Sequence, residues 1–430
     1  MRVLVIGGGG REHALVWKLR QSRLVSKILC VPGNGGISQQ AECVSANLAD
    51  ISDVADLAGE LRADLTVVGP EQPLVDGISD EFERRGLRIV GPSKDWAQLE
   101  GSKIFAKRFL NDNSIPTAEV RGIFSSVHDA NRALEDLSYP VVLKADGLCG
   151  GKGVLVAKSR GEAFDFIDRA LVKREFGDGG GLLLVEEALE GKELSFIVVC
   201  DGQKFVSLVP TRDHKRAFDG DSGPNTGGMG AYSCDGIISN DMEAQIRERV
   251  VEPTMKAITN DSTPYRGFLY FGLMLTQEGP KVLEFNCRLG DPETQALVTR
   301  MDFDLGEVLV GAAEGRLEAQ KLGWHPGASV CVVMASGGYP GKYAIAREIE
   351  GLQKAGSMEG VAVFHAGTKR EGALYYTSSG RVLGVTAVGT NLEAARRKAY
   401  EAVRDVQFVD CHYRRDIALQ GCRAANMGED

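Results

Sequence analysis

Apolar residues in this chain come as short runs set between stretches with a helical repeat. The run at residues 2 to 6 (RVLVI) predicts a buried strand, Gly7 to Gly10 a tight turn, and Glu12 to Leu19 a helix with Ala14, Leu15 and Leu19 on one face. Further strands are predicted at Ile28 to Val31, Leu65 to Gly69 and Arg88 to Gly91, with a helix at Ile78 to Arg85. That alternation predicts a doubly wound parallel sheet. From Ser93 the segment SKDWAQLEGSKIFAKRFLNDN predicts one long amphipathic helix, ended by Ile115-Pro116. A helix at Val127 to Leu137, strands at Val141 to Ala145 and Val154 to Ala157, a helix near Gly161 to Lys173 and a flexible link from Gly177 to Gly181 follow. Strands are expected at Leu182 to Glu186 and through LSFIVV, opened by Glu193.

Asp213 to Ala231 has no periodicity and reads as a long loop, which in a compact domain is usually functional. A helix (Asp241 to Ala257), a hairpin strand (Gly267 to Leu275), a strand from Val282 and two helical segments up to Glu314 come next. From Gly327 the pattern changes to short strands, SVCVVMAS, VAVFHAG and RVLGVTAVG, then a helix from Leu392 to Val406. The tail from about Cys422 is polar and expected to fray. This last piece has no cluster of lysines or carboxylates, so packing against the others and covering a substrate is its expected part.

At 430 residues the chain is long enough for about three domains. The net charge of −9 argues against a nucleic-acid or anionic-membrane partner and directs attention to local positive charge. No apolar run approaches the roughly 18 residues that span a bilayer, and MRVLVIGGGGREH reads as a strand entering a turn rather than a signal peptide. Nine scattered cysteines without a C-x-x-C pair fit reduced thiols and a cytoplasmic location, not a disulfide framework or zinc site.

The most informative stretch is VLEFNCRLGDPET, Val282 to Thr294. Alternation along a strand puts Glu284 and Asn286 on one face as two oxygen donors, a set that suits a magnesium ion shared with nucleotide phosphates. Arg288, Asp291 and Glu293 follow closely. Upstream, Lys144 ends an apolar strand, where an unpartnered ammonium would be costly and a bound phosphate would satisfy it. The next turn carries Gly150, Gly151, Lys152 and Gly153, a glycine-rich hairpin able to approach phosphate oxygens. It is no Walker loop, because Gly153 stands where the magnesium-binding Ser or Thr belongs. Glu186, Glu187, Ala188 and Leu189, with Glu193 beyond them, suit an adenine slot and a ribose acceptor. In the long loop, His214, Lys215 and Arg216 supply cationic donors beside Asn225 and Thr226.

A dinucleotide fold fails at two points: Glu12 and His13 occupy the third glycine position, and Pro32-Gly33 replaces the ribose-binding acid. The Gly8 to Gly10 turn can still hold a phosphate at a helix N-terminus. Together these parts describe an ATP site clamped between two small sheets, with no oriented Ser, Cys or His nucleophile. Phosphoryl transfer needs none. A carboxylate acceptor would give an acyl phosphate open to attack by an amine, provided water is excluded.

From residue 2 to beyond 400 the sequence resembles the glycinamide ribonucleotide synthetases (phosphoribosylamine-glycine ligases) of the ATP-grasp superfamily. The resemblance rests on GGREHAL, PGNGG, LTVVGPEQPL, LEGSK, PVVLKADGL, GKGV, DHKRAFDGDSGPNTGGMGAYS and VLEFNCRLGDPETQ. It implies an α/β protein with an N-terminal doubly wound parallel sheet (1–102), an ATP-grasp domain of two α+β subdomains clamping ATP (103–323, lid about 123–190) and a small C-terminal β-rich domain (324–430). It implies joining of glycine to 5-phosphoribosylamine through glycyl phosphate, with ATP and Mg2+ or Mn2+, by a monomer or weak dimer. Lys103, Lys144 and Lys152, with Gly150, Gly151 and Gly153, would contact ATP phosphates; Glu186 to Leu189 would hold adenine and Glu193 the ribose. Glu284 and Asn286 would bind metal. Arg288, Lys215 and Asp291 would act in catalysis. Substrates would meet Gly8, Gly9, Gly10, Arg11, Asp213, His214, Arg216, Asn225, Thr226, Gly227, Gly228, Met229 and Glu293. The chain departs from the family at Gly8 (usually Asn), Cys149-Gly150 (usually Ala-Ala) and Arg212 (usually Gln), and Phe271-Gly272-Leu273 offers no further acid for a second metal.

Overall fold

A computed structural model describes residues 1–177, 181–261, 263–318 and 322–422. The expected link at Gly177 to Gly181 falls partly outside the described residues, and the tail beyond Cys422 wholly so.

The first sheet is parallel and runs in the order Glu42–Cys43, Lys27–Pro32, Arg2–Gly7, Leu65–Val68, Ile89–Val90. Its order reverses beside Arg2–Gly7, so the glycine turn opens onto the crevice where doubly wound sheets take ligands. The helix expected as one piece from Ser93 is two, Lys94–Gly101 and Lys103–Asp112. Ser102 between them is extended, and its hydroxyl caps the second helix by accepting from the Phe105 N–H. A side-chain acceptor that can satisfy a free helix N–H favours a new helix start over continuation. The break sets Lys103 at the first turn of the second helix.

Two antiparallel sheets follow. The smaller has the order Val120–Phe124, Leu183–Glu187, Val141–Ala145, Val154–Ala157; the larger runs Phe205–Ser207, Lys192–Asp201, Arg266–Thr276, Gly279–Asn286. Asp213 to Ala231 is not a plain loop. It holds a hairpin of Arg216–Phe218 and Ser222–Asn225, and its ends, Arg212–Asp213 and Gly230–Cys234, join the C-terminal sheet. That sheet continues through Ala328–Ser336, Arg381–Gly389 and Val361–His365, with Cys411–His412 paired to Ala328–Ser336. The C-terminal sheet therefore takes one edge from strands that lie in the middle of the chain. One apolar core joins Val3, Val5 and Leu15 of the first unit to Ile197 and Phe268 of the larger antiparallel sheet and to Leu297 and Leu305. Among the described residues no helix is long and apolar enough to cross a membrane.

Candidate active site

The sheets surround a chamber of about 950 Å³, and a side cavity of about 420 Å³ adjoins it at Asp291, Tyr339 and Arg381. The strand Gly279–Asn286 supplies part of the chamber wall through its last four residues. Val282 and Phe285 are buried, while Glu284 and Asn286 face the chamber. Glu284 is opposite Gly272, and a Cβ there would come within 3.0 Å of the Glu284 side chain. The missing acid on the neighbouring strand is thus a glycine that leaves room for Glu284. With the Asn286 amide assigned so that its nitrogen meets acceptors, it donates to Glu100 Oε1 at 2.9 Å, which leaves the oxygen end for a cation.

Lys215 reaches across from the hairpin and pairs with Glu193 at 3.3 Å and Glu284 at 3.4 Å. Burial alone would lower the Lys215 pKa, but Glu193, Glu284 and Asp213 raise it well above the usual lysine value. Lys215 in turn pulls Glu284 below the ordinary carboxylate range. Asp213 behaves oppositely: burial, then Glu293, Glu193 and Glu284, push it up to about 8 against the pull of Lys215. One lysine thus serves a pool of acids. Glu293 is buried and accepts from Tyr270 Oη at 3.0 Å and Ser195 Oγ at 3.2 Å.

On the nucleotide side the charges are paired. For Lys144 the sequence offers a bound phosphate as partner; in the structure Glu186 supplies one at 2.7 Å, and the other Glu186 oxygen is 2.6 Å from Lys107. All three side chains are buried or nearly so. Lys144 also donates to the Leu283 carbonyl at 2.9 Å, and Lys107 donates to Thr117 Oγ1 at 2.6 Å, which donates to the Val282 carbonyl at 2.7 Å. The trio therefore ties the smaller sheet to the strand that carries Glu284. Burial lowers the Lys107 pKa, with Glu186 opposing it. Lys103 donates to the Gly147 carbonyl at 2.7 Å. Glu187, Ala188 and Leu189 line the same wall, as do Gly150, Gly151 and Gly153. Gly151 has φ +77°, and a Cβ there would lie 3.3 Å from the Thr226 carbonyl, so the glycine hairpin meets the substrate hairpin at this point. Lys152 is exposed on the hairpin and does not line the chamber.

Arg288 lines the chamber but is not free. It pairs with Glu100 at 2.7 Å and Glu71 at 3.1 Å. Burial, which would lower its pKa, is outweighed by these two acids. Glu71 is held at about 2, because Arg288 and Arg11 overcome the opposing effect of burial. Asp291 sits beside Arg381, whose guanidinium reaches Oδ2 at 3.2 Å and the Asp291 and Gly227 carbonyls at 2.7 and 2.6 Å. Burial would raise the Asp291 pKa; Arg381 and Arg11 bring it below the usual range.

Three expectations change. The Gly8 to Gly10 turn was read as a phosphate nest, but Glu12 fills it: Gly9 N donates to Glu12 Oε2 at 2.5 Å, and Arg11 pairs with Oε1 at 2.6 Å. A carboxylate already occupies the N-terminal pole of that helix. Gly8 and Gly9 line the side cavity, Arg11 lines the main chamber, and Gly10 lines neither. Second, His214 and Arg216 line the chamber but are held by the protein: His214 Nε2 accepts from the Ala418 N–H at 3.2 Å, and Arg216 donates to the Gly223 carbonyl at 2.8 Å. Third, Gly228 and the fully buried Met229 stand behind the wall, unlike Asn225, Thr226 and Gly227.

Lys107, Glu71, Glu100 and Arg381 went unnoticed in the sequence. Lys107 carried a signal, because it lies four residues after Lys103 on one helix face. Arg381 carried none: its partner Asp291 is 90 positions away.

Two antiparallel sheets closing on a lysine-rich wall, with a Glu-x-Asn strand end between them, define an ATP-grasp enzyme, and residues 101–294 match the ATP-grasp (A) domain of phosphoribosylglycinamide synthetase. The biotin carboxylase domain of Hydrogenobacter thermophilus 2-oxoglutarate carboxylase shares this fold at 18% identity, TM-score 0.71, over 96% of this chain and 91% of that one. Residues 1–100 and 329–420 match the N and C domains of phosphoribosylglycinamide synthetase, and the chain belongs to that family. The phosphoribosylamine–glycine ligase of Caldanaerobacter subterraneus subsp. tengcongensis is 45% identical over 418 residues, 97% of this chain and 99% of that protein. The crystal structure of the Thermotoga maritima phosphoribosylamine–glycine ligase superimposes with TM-score 0.84 at 34% identity, covering 97% of this chain and all of that one.

Proposed function

We propose that the chamber carries out the ligation of its family through an acyl phosphate, with each wall serving one reactant. The chain is an ATP-dependent C–N ligase that joins glycine to 5-phosphoribosylamine, giving glycinamide ribonucleotide, ADP and phosphate in purine biosynthesis. The observation that carries the mechanism is the contrast across Glu284: lysines on one side, the acids Asp213 and Glu293 on the other. A triphosphate fits the first wall and the ammonium of an amino acid the second.

In this reading Lys103 and Lys144 hold the ATP phosphates, with Lys152 and Gly150, Gly151 and Gly153 closing over them. Glu186 to Leu189 form the adenine slot and Glu193 meets the ribose. Glu284 and Asn286 are the protein ligands for a divalent ion, Mg2+ or Mn2+. The Lys215 ammonium beside Glu284 already shows that this spot accepts positive charge. An ion held by Glu284 and Asn286 would supply charge neutralisation for the phosphoryl group during transfer.

A glycine carboxylate oxygen attacks the γ-phosphorus and ADP leaves with the bridging electron pair. Arg288 and Lys215 stabilise the equatorial oxygens. The phosphoribosylamine nitrogen then attacks the glycyl carbonyl, the C–O bond to phosphate breaks, and the nitrogen gives up a proton. Asp291, oriented by Arg381, and the side cavity lined by Gly8 and Gly9 receive phosphoribosylamine. All these walls come from one chain, which suits a monomer or a weak dimer alike.

Hydroxylamine supplied in place of phosphoribosylamine tests the intermediate. Glycine hydroxamate should form with ADP and phosphate in equal amounts. ADP formation that ignores glycine would overturn the reading.

A further inference from the structure

The hairpin that carries Lys215 is gripped from behind. His214 and Arg216 flank Lys215 on the chamber wall, and both meet the C-terminal segment that follows Cys411–His412. His214 Nε2 accepts from the Ala418 N–H, and the Arg216 carbonyl accepts from Arg414 at 3.1 Å. Arg414, whose side chain has no exposed surface, also reaches Asp221 Oδ1 at 2.7 Å and both oxygens of Asp416 at 2.7 Å. Asp416 passes the grip back by accepting from the Gly220 N–H at 2.9 Å. The Asp219 carboxylate accepts from the Arg415 N–H at 2.7 Å, and His412 Nε2 lies 2.8 Å from the Ala217 carbonyl. Every residue from 216 to 221 except Phe218 has a polar tie to residues 412–416. Lys215 alone is directed at the carboxylates, and Gln420 and Gly421 of the same segment reach the chamber wall.

We propose that Arg414 is a positioning residue for Lys215: its buried fork locks the hairpin so that the Lys215 ammonium is delivered between Glu193 and Glu284. An arginine with three acceptors fixed in its fork resists rotation in a way a single lysine contact would not. Arg414 touches no reactant. It acts by holding Asp221 and the Arg216 carbonyl, and so the backbone that follows Lys215. This inference rests on the role given above to Lys215.

A double-mutant cycle separates the two claims. Arg414→Met should lower kcat about tenfold while leaving the Kd of a non-hydrolysable ATP analogue within twofold. Lys215→Arg should also lower kcat. In that background Arg414→Met should cost less than a further twofold, because the group it positions has already been displaced. If Lys215→Arg alone has normal kcat, the reading of Lys215 fails. If Lys215→Arg is impaired and the Arg414→Met loss is the full tenfold in both backgrounds, or if folded Arg414→Met keeps normal kcat, the positioning role is wrong. Should Arg414→Met not fold, Asp219→Ala removes one exposed acceptor of the same grip. It should lower kcat about threefold alone and leave it unchanged in Lys215→Arg, and equal losses in both, or none in either, would overturn the proposal.

Discussion

The two walls of the chamber handle charge in opposite ways. On the nucleotide wall each buried charge has a fixed partner: Glu186 lies between Lys107 and Lys144, and Arg288 between Glu71 and Glu100. On the substrate wall the acids are in surplus: Asp213 draws on Lys215, which also meets Glu193 and Glu284 at the border between the walls, and Glu293 stands beside Asp213 as a further acid. A wall whose charges are settled before ligand arrives is preorganised for a ligand of constant shape, here the triphosphate. A wall with surplus acid gains most when a cation enters, as an amino acid's ammonium or a metal ion would. The difference separates positioning from recognition.

The comparison is broken most directly at its border. Glu284→Ala should reduce turnover on the order of 10³-fold, with circular dichroism and thermal unfolding unchanged, because Glu284 faces the chamber rather than a core. Near-normal steady-state rates would remove it from the site. Next in size is Glu186→Ala, which strands two buried ammonium groups and should cost about 3 kcal/mol of unfolding free energy in denaturant titrations. An equally stable Glu186→Ala protein would mean that the trio is not a buried network. Arg381→Ala, on the substrate side, should lower kcat/KM for phosphoribosylamine about 10- to 100-fold, the scale of a charged hydrogen bond, and leave ATP affinity alone. An equal loss for both ligands would erase the distinction between the walls.

The gentlest probe uses pH. Asp213 is raised in the folded state to about 8 from an ordinary 3.8, so its proton is bound by the native protein and not by the unfolded chain between those values. Its contribution is full below about pH 4 and is lost as pH rises through about 8. Asp213→Asn should match the wild type in stability near pH 4 and exceed it increasingly toward pH 8. Parallel stability curves would show that the surplus acid is not there.

The same contrast explains what could be read without a structure. The nucleotide wall is written in contiguous stretches, with Lys144, the glycine hairpin, Glu186 to Glu193 and Glu284 to Asn286 each ending a strand whose apolar pattern is plain. Glu284 and Asn286 share the chamber face as period-two alternation predicts, whereas Glu186 to Leu189 line it consecutively as the chain leaves its strand. The substrate wall joins segments far apart in sequence: Gly8 and Gly9, the hairpin around Lys215, Asp291 and Arg381. Nothing in the run RVLGVTAVG announces that its first residue bonds Asp291. The Gly8 turn misled for a different reason: a helix N-terminus that suits phosphate suits a carboxylate equally, and Glu12 is only three residues from Gly9. The break at Ser102 was also within reach, since Gly101-Ser102 pairs a weak helix former with a good cap.

The claim on which the rest depends is that Glu284 and Asn286 hold the metal of the metal–nucleotide complex. Anomalous diffraction from crystals grown with Mn2+ and a non-hydrolysable ATP analogue tests it in one measurement. The expected result is a manganese peak about 2.1 Å from a Glu284 carboxylate oxygen and Asn286 Oδ1, with the γ-phosphate completing its shell. A peak bound to the analogue but out of reach of both side chains would contradict it.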